Sequence, residues 1–68
     1  MKTVDTRGLS CPEPVILTKK ALAANEDSYE ILADRVTSRD NIIGFAEDYG
    51  YKAVCTEENG EFKIILKK

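Results

Sequence analysis

The 68-residue sequence has no histidine and no tryptophan, and only two cysteines, two prolines and four glycines. Without histidine, a Cys–His catalytic pair within the chain is excluded. Two cysteines also fall short of the four Cys or His ligands that close a structural zinc site, so no metal is expected. An excess of positive charge is missing too. Ten Lys and Arg against twelve Asp and Glu leave a net charge of −2, which argues against a nucleic-acid binder. No apolar run approaches the roughly 18 residues of a membrane span, and the N-terminal MKTVDTRGLS has no apolar signal-peptide core. A cytoplasmic location is the expectation, and a reducing compartment favours free thiols over a disulfide.

What is present is one domain's worth of chain, residues 1–68. Hydrophobic residues make up 43% and charged residues 32%, the composition of a compact folded module. Its size is near the lower limit for a single core without metals or disulfides. KTVDT is a β-branched run and reads as a strand, followed by a turn at RGLS. A helix is predicted from Pro12 or Pro14 to about Asn25. Pro14, Leu17, Thr18, Ala21 and Leu22 share one stripe at helical spacing, with Val15 at its margin and Lys19, Lys20 and Ile16 off it. SYEILAD alternates Tyr29, Ile31 and Ala33 against Glu30, Leu32 and Asp34, as a half-buried strand does.

A second helix is predicted from Arg39 or Asp40 to Tyr49, with Ser38 as N-cap and Gly50 as its stop. Its apolar stripe is Ile42, Phe45, Ala46 and Tyr49. YKAVCTE and EFKIILK read as two strands joined at Asn59-Gly60, a short hairpin signal. Phe62, Ile64 and Leu66 face the core. The order β-α-β-α-β-β predicts a two-layer α/β sandwich, with two helices packed on one face of a four-stranded mixed sheet. Whether both crossovers return their helices to the same face is left open by the sequence.

RGLSCPEP, residues 7–14, is the stretch with chemical content. A residue before proline is pushed out of the α region, so Cys11 is expected to be extended, at N-cap, with Pro12 and Pro14 stiffening the first turn behind it. The N–H groups of Glu13 and Val15 would then face an anion, and the helix dipole would favour thiolate over thiol. The Glu13 carboxylate opposes this if it turns toward the sulfur. Cys11 is thus the candidate nucleophile, in a pattern that is not a C-x-x-C dithiol. Both prolines lie where the helix tolerates proline without requiring it, so replacing them is expected to leave the fold nearly intact.

DTRGLSCPEPV, with this element order, closely resembles the TusA, SirA and YedF family of small sulfur-relay proteins. The matching residues are Asp5, Gly8, Leu9, Cys11, Pro12, Pro14 and Val15, then TSRDNI opening the second helix and GYKA after it. RGLSCPEPVILTKKAL looks most like a YedF-type module, a kind that elsewhere is fused to a second domain. The resemblance implies that Cys11 accepts a sulfane sulfur as a persulfide and that no cofactor is used. It also implies a cysteine desulfurase or other persulfide donor, and a downstream acceptor protein in tRNA thiolation, cofactor synthesis or sulfur metabolism. Two alternatives stand beside it. One is a non-catalytic regulatory or protein-interaction module, including a selenium-related YedF-like role. The other is a nucleic-acid-binding domain, since similar sandwiches occur in a translation initiation factor.

The remaining candidates surround Cys11. Asp5 and Arg7 are placed either to pair with each other or to orient the loop, and Gly8 to allow a tight turn with positive φ. Ile16, Lys19, Lys20 and Arg39 are candidates for partner binding, against the plainer reading of a solvated helix face. Ile16 is the sharpest, because it lies off the core stripe without a folding reason. Cys55 shares the phase of Tyr51 and Ala53 and reads as a structural core cysteine, a reading favoured over that of a resolving partner for Cys11.

Overall fold

A computed structural model describes residues 2–10 and 12–68; Met1 and Cys11 lie outside the described residues. The elements are β1 (Lys2–Asp5), α1 (Glu13–Leu22), β2 (Ser28–Ala33), α2 (Val36–Asp48), β3 (Lys52–Glu58) and β4 (Glu61–Lys67). They form one mixed sheet in the order β1-β2-β4-β3, with β1 parallel to β2 and β4 antiparallel to both its neighbours. β3 therefore runs parallel to β2, and the steps from β1 to β2 and from β2 to β3 go the same way across the sheet. Two right-handed crossovers in one direction place both helices on one face. The β3–β4 hairpin then returns β4 into the gap between β2 and β3.

The expected α/β sandwich is the architecture found. Tyr29, Ile31 and Ala33 of β2 stand opposite Leu66, Ile64 and Phe62 of β4, and all six are buried. Ala21 and Leu22 of α1 and Ile42 and Ala46 of α2 close over them in one core cluster. The opposite sheet face carries Glu30, Leu32, Val54, Lys63 and Ile65, all half-buried or exposed. Among the described residues, helices cover one face of the sheet.

Within α1 the buried residues are Pro14, Thr18, Ala21 and Leu22. Thr18 is tolerated there because its hydroxyl donates to the Pro14 carbonyl at 2.9 Å, which satisfies a buried polar group. The helix ends at Leu22, three residues short of the expected Asn25. The Ala24 and Asn25 N–H groups bond to the Ala21 and Leu22 carbonyls, and Asn25 closes the turn at φ +56°. Beyond this turn the Tyr29 hydroxyl donates to the Ala21 carbonyl at 2.6 Å and receives the Glu26 N–H at 3.0 Å. The Tyr51 hydroxyl donates to the Glu26 carbonyl at 2.7 Å, and the two tyrosine rings meet edge to face. This end of the domain is sealed by a satisfied polar plug.

α2 departs most from expectation. It begins at Val36, not at Arg39 or Asp40, and Ser38 is a buried interior residue instead of the N-cap. Arg35 holds the N-cap position in extended backbone, with no side-chain cap. Val-Thr-Ser is a weak helix-forming run, but Ser38, Ile42 and Ala46 recur every four residues on the buried face, and packing overrides propensity. The Ser38 Oγ has no hydrogen-bond partner among the described residues. Gly50, at φ +99°, stops the helix as expected. Tyr49 is a second correction: it is 51% exposed and packs its ring on Phe45 at 5.5 Å instead of entering the core. Asn59 and Gly60 both have positive φ, as a two-residue hairpin turn of the primed type requires.

The two prolines separate in this structure. Pro12 is exposed, whereas Pro14 is fully buried, so the two are expected to differ in how far they support the fold. Pro14→Ala is expected to lower unfolding stability by about 2 kcal/mol, through lost apolar burial and a freer unfolded chain. Pro12→Ala should change it by less than about 1 kcal/mol. Urea denaturation of the two single variants checks the difference.

Candidate functional site

β1 and β2 are parallel, and each passes into a helix at its C-terminal end. The starts of α1 and α2 therefore lie at one rim of the sheet, and the Asn59-Gly60 hairpin joins them because Phe62 is level with Ala33. Residues 6–10 cross this rim. The Thr6 N–H and hydroxyl both donate to the Leu32 carbonyl, at 2.8 and 2.6 Å. The Gly8 N–H, in a residue with φ +81°, donates to Asp34 Oδ2 at 2.8 Å. The segment is thereby tied to β2 and to the β2–α2 connection.

Asp5 and Arg7 form the pair that the sequence suggested, and together they do more. Arg7 Nε donates to Asp5 Oδ1 at 3.0 Å and its Nη2 to Oδ2 at 2.9 Å, while the Arg7 backbone N–H also reaches Oδ1 at 3.0 Å. Its remaining arm meets Glu61 Oε1 at 3.3 Å on β4. The guanidinium thus bridges the loop to the hairpin with a geometry lysine lacks. These bonds hold the Asp5 carboxyl at a pKa of about 2. Glu61 and Asp34 were not singled out from sequence, since they lie far from Cys11 along the chain and nothing local marks them.

The start of α1 corrects the expected arrangement by one residue. Pro12 is N-cap and Pro14 sits within the first turn, so Cys11 precedes the cap. The Glu13 N–H donates to the Ser10 carbonyl at 3.0 Å and is not free to face an anion. Glu13 itself is exposed. The conformation and reactivity expected of Cys11 lie outside the described residues. What is described is the chain on both sides of it, pinned before it by Asp34 and Glu61 and after it by Pro12 and the buried Pro14.

Ile16 is 44% exposed, off the core stripe as expected, and Lys19 and Lys20 are exposed beside it on α1. Arg39 is neither free nor fully solvated. Its guanidinium lies 4.9 Å from the Phe62 ring centroid and pairs with Asp40 at 2.8 Å. Val36, 54% exposed in the first turn of α2, is an apolar rim residue that the late predicted helix start concealed. Cys55 is a half-buried free thiol packed against the core, and burial pushes its pKa up. Among the described residues no cluster of His, Cys, Asp or Glu is arranged to hold a metal ion, and no helix is long and apolar enough to cross a membrane.

The sequence model described as Sulfurtransferase TusA matches residues 2–68. The chain belongs to the TusA family. A family relative from Methanocaldococcus jannaschii, named as a candidate sulfur carrier protein, is 44% identical, the match covering 100% of this chain and 95% of the relative. Another from Archaeoglobus fulgidus, named in the same way, is 37% identical over 98% of this chain and 92% of its own. The crystal structure of a SirA-like protein from Desulfitobacterium hafniense superposes with a TM-score of 0.87 at 37% identity, covering 98% of this chain and 96% of that one. The TusA-family sandwich is therefore shared across the whole chain.

The lowered Asp5 pKa has a definite sign. The contribution of its ion pair is fully present above the ordinary carboxylate range and is lost as pH falls through about 2. The carboxyl carbon resonance of Asp5 should titrate near that value, and in Arg7→Leu it should return to the range of an unperturbed aspartate. NMR titration of both proteins measures this.

Proposed function

We propose that this TusA-family protein is a sulfur carrier that holds a sulfane sulfur as a persulfide on Cys11. The observation that carries the reading is the fixing of residues 5–10 and 12–14 on either side of that cysteine. A carrier thiol must be presented to two different proteins in turn, and a rigid flank lowers the ordering required at each encounter. The other thiol, Cys55, is packed against the core with its pKa raised, which suits it poorly to nucleophilic work.

The transfer is an exchange at sulfur. The Cys11 thiolate attacks the outer sulfur of a donor persulfide, such as that of a cysteine desulfurase. The donor S–S bond breaks, its inner sulfur leaves as thiolate with the bonding electrons, and a Cys11–S–S⁻ persulfide forms. Sulfur keeps its oxidation state, so neither metal nor organic redox cofactor is called for. An acceptor protein then attacks the outer sulfur of Cys11 in the same manner. Family membership supports general dealings with sulfur donors and acceptors, and the absence of a basic excess weighs against RNA as the direct partner.

Incubation with a cysteine desulfurase and L-cysteine should add the mass of one sulfur atom to wild type and to Cys55→Ser, and none to Cys11→Ser. Iodoacetamide should alkylate Cys11 faster than Cys55 in the folded protein, because Cys55 is packed against the core with its pKa raised. Sulfur found on Cys55 in the wild type overturns the assignment.

Donor and acceptor are proposed to dock on the rim and the adjoining face of α1, where Ile16, Lys19 and Lys20 are exposed and Arg39 stands at the start of α2. Ile16→Glu should shift unfolding by no more than about 0.5 kcal/mol, as exposed substitutions usually do. It should slow persulfide acceptance while leaving iodoacetamide alkylation of Cys11 unchanged. Undiminished transfer removes this face from the model of docking.

A further inference from the structure

The sheet has two edges, and they are unequal. β1 is four residues long, and its residues continue into the pinned loop. β3 spans seven residues, Lys52–Glu58, without proline or glycine. Its register against β4 runs unbroken from Lys52↔Lys67 to Glu58↔Glu61, with no bulge to twist the edge away. Val54, on the uncovered sheet face, is 63% exposed. A long regular edge with an exposed apolar centre is a template for a further strand.

The charges along β3 say which strand fits. Lys52 lies at one end and Glu57 and Glu58 at the other, so the edge is positive at its start and negative at its finish. A twofold axis perpendicular to the sheet pairs two copies of β3 antiparallel and keeps corresponding faces on the same side. The register centred on Cys55 sets Lys52 opposite the second copy's Glu58, Ala53 opposite Glu57, and Val54 opposite Thr56. Both Lys–Glu contacts are then of opposite sign, and no like charges face each other. The same-face registers shifted by two residues lose both of these pairs, and parallel pairing sets Lys52 against Lys52 and Glu58 against Glu58. Directly opposed charges of one sign are unfavourable in a sheet.

We propose that the β3 edge is a self-association surface, on which a second copy of this chain pairs antiparallel about Cys55 to give a continuous eight-stranded sheet. The inference is independent of the sulfur chemistry. The surface lies at the edge strand, and the two-copy sheet leaves the rim that carries residues 5–10 at the ends of the strands. A contact of one edge strand is smaller than the roughly 1,200 Å² of a standard interface, so the dimer is a weak one that forms at high micromolar concentration.

Sedimentation equilibrium over a wide concentration range tests this with wild type, Lys52→Glu, and the double charge exchange Lys52→Glu/Glu58→Lys. Wild type should dimerise reversibly. Lys52→Glu turns both Lys–Glu contacts into repulsions and should weaken association about tenfold or more. The double exchange restores opposite signs and should recover most of the loss. Circular dichroism of each variant confirms that the fold is retained, and a misfolded Lys52→Glu is replaced by Glu58→Lys, for which the same loss is expected. Monomer at every concentration, or a dimer indifferent to the charge reversal, overturns the proposal.

Discussion

The rest of the structure depends on the pairing of β2 with β4 at the centre of the sheet, where Ile31 stands opposite Ile64. On either side of that contact Tyr29 meets Leu66 and Ala33 meets Phe62, so two alternating strands bury the same face together. A slip of one residue would turn every one of these side chains to the open face. The helices are secondary to this register: Leu22 of α1 and Ile42 and Ala46 of α2 cover a surface the two strands have already defined. In a chain of this size there is room for only one such cluster.

The same arrangement divides the domain into two unlike ends. Because β1 and β2 are parallel, both helices start at one rim and both finish at the other. At the finishing end, buried tyrosine hydroxyls take up the loose backbone groups after α1, which closes that end. At the starting end the connections are held by exposed groups instead, Arg7 to Asp5 and Glu61, and Gly8 to Asp34. Exposed ion pairs add little to global stability. Their effect is local, setting the course of residues 6–10 immediately ahead of Cys11 in the chain.

Much of this was legible along the chain. The alternation in SYEILAD and EFKIILK, the apolar stripe of α1 and the Asn59-Gly60 turn each depend on residues a few positions apart, and each is found where expected except that Leu17 of the stripe is half-buried and lies outside the core cluster. The pairing of Asp5 with Arg7 and the positive φ of Gly8 are local in the same sense. The start of α2 was not legible, because Val36, Thr37 and Ser38 are weak helix formers, and Ser38 is the residue type that favours a cap. What holds them helical is the burial of Ser38 in line with Ile42 and Ala46, a contact with residues distant in sequence. Tyr49 shows the converse, since its place on the apolar stripe did not secure it a place in the core.

The sequence by itself determined the elements, most of their buried faces and the C-P-E-P stretch that holds the proposed carrier cysteine, because period, turn residues and that pattern are properties of neighbours. The placement of both helices on one face, the insertion of β4 between β2 and β3, and the anchoring of residues 6–10 by Asp34 and Glu61 were decided only by the tertiary structure. Each depends on groups roughly 25 to more than 50 residues apart, whose approach follows from the packing of one core and is written in no local stretch.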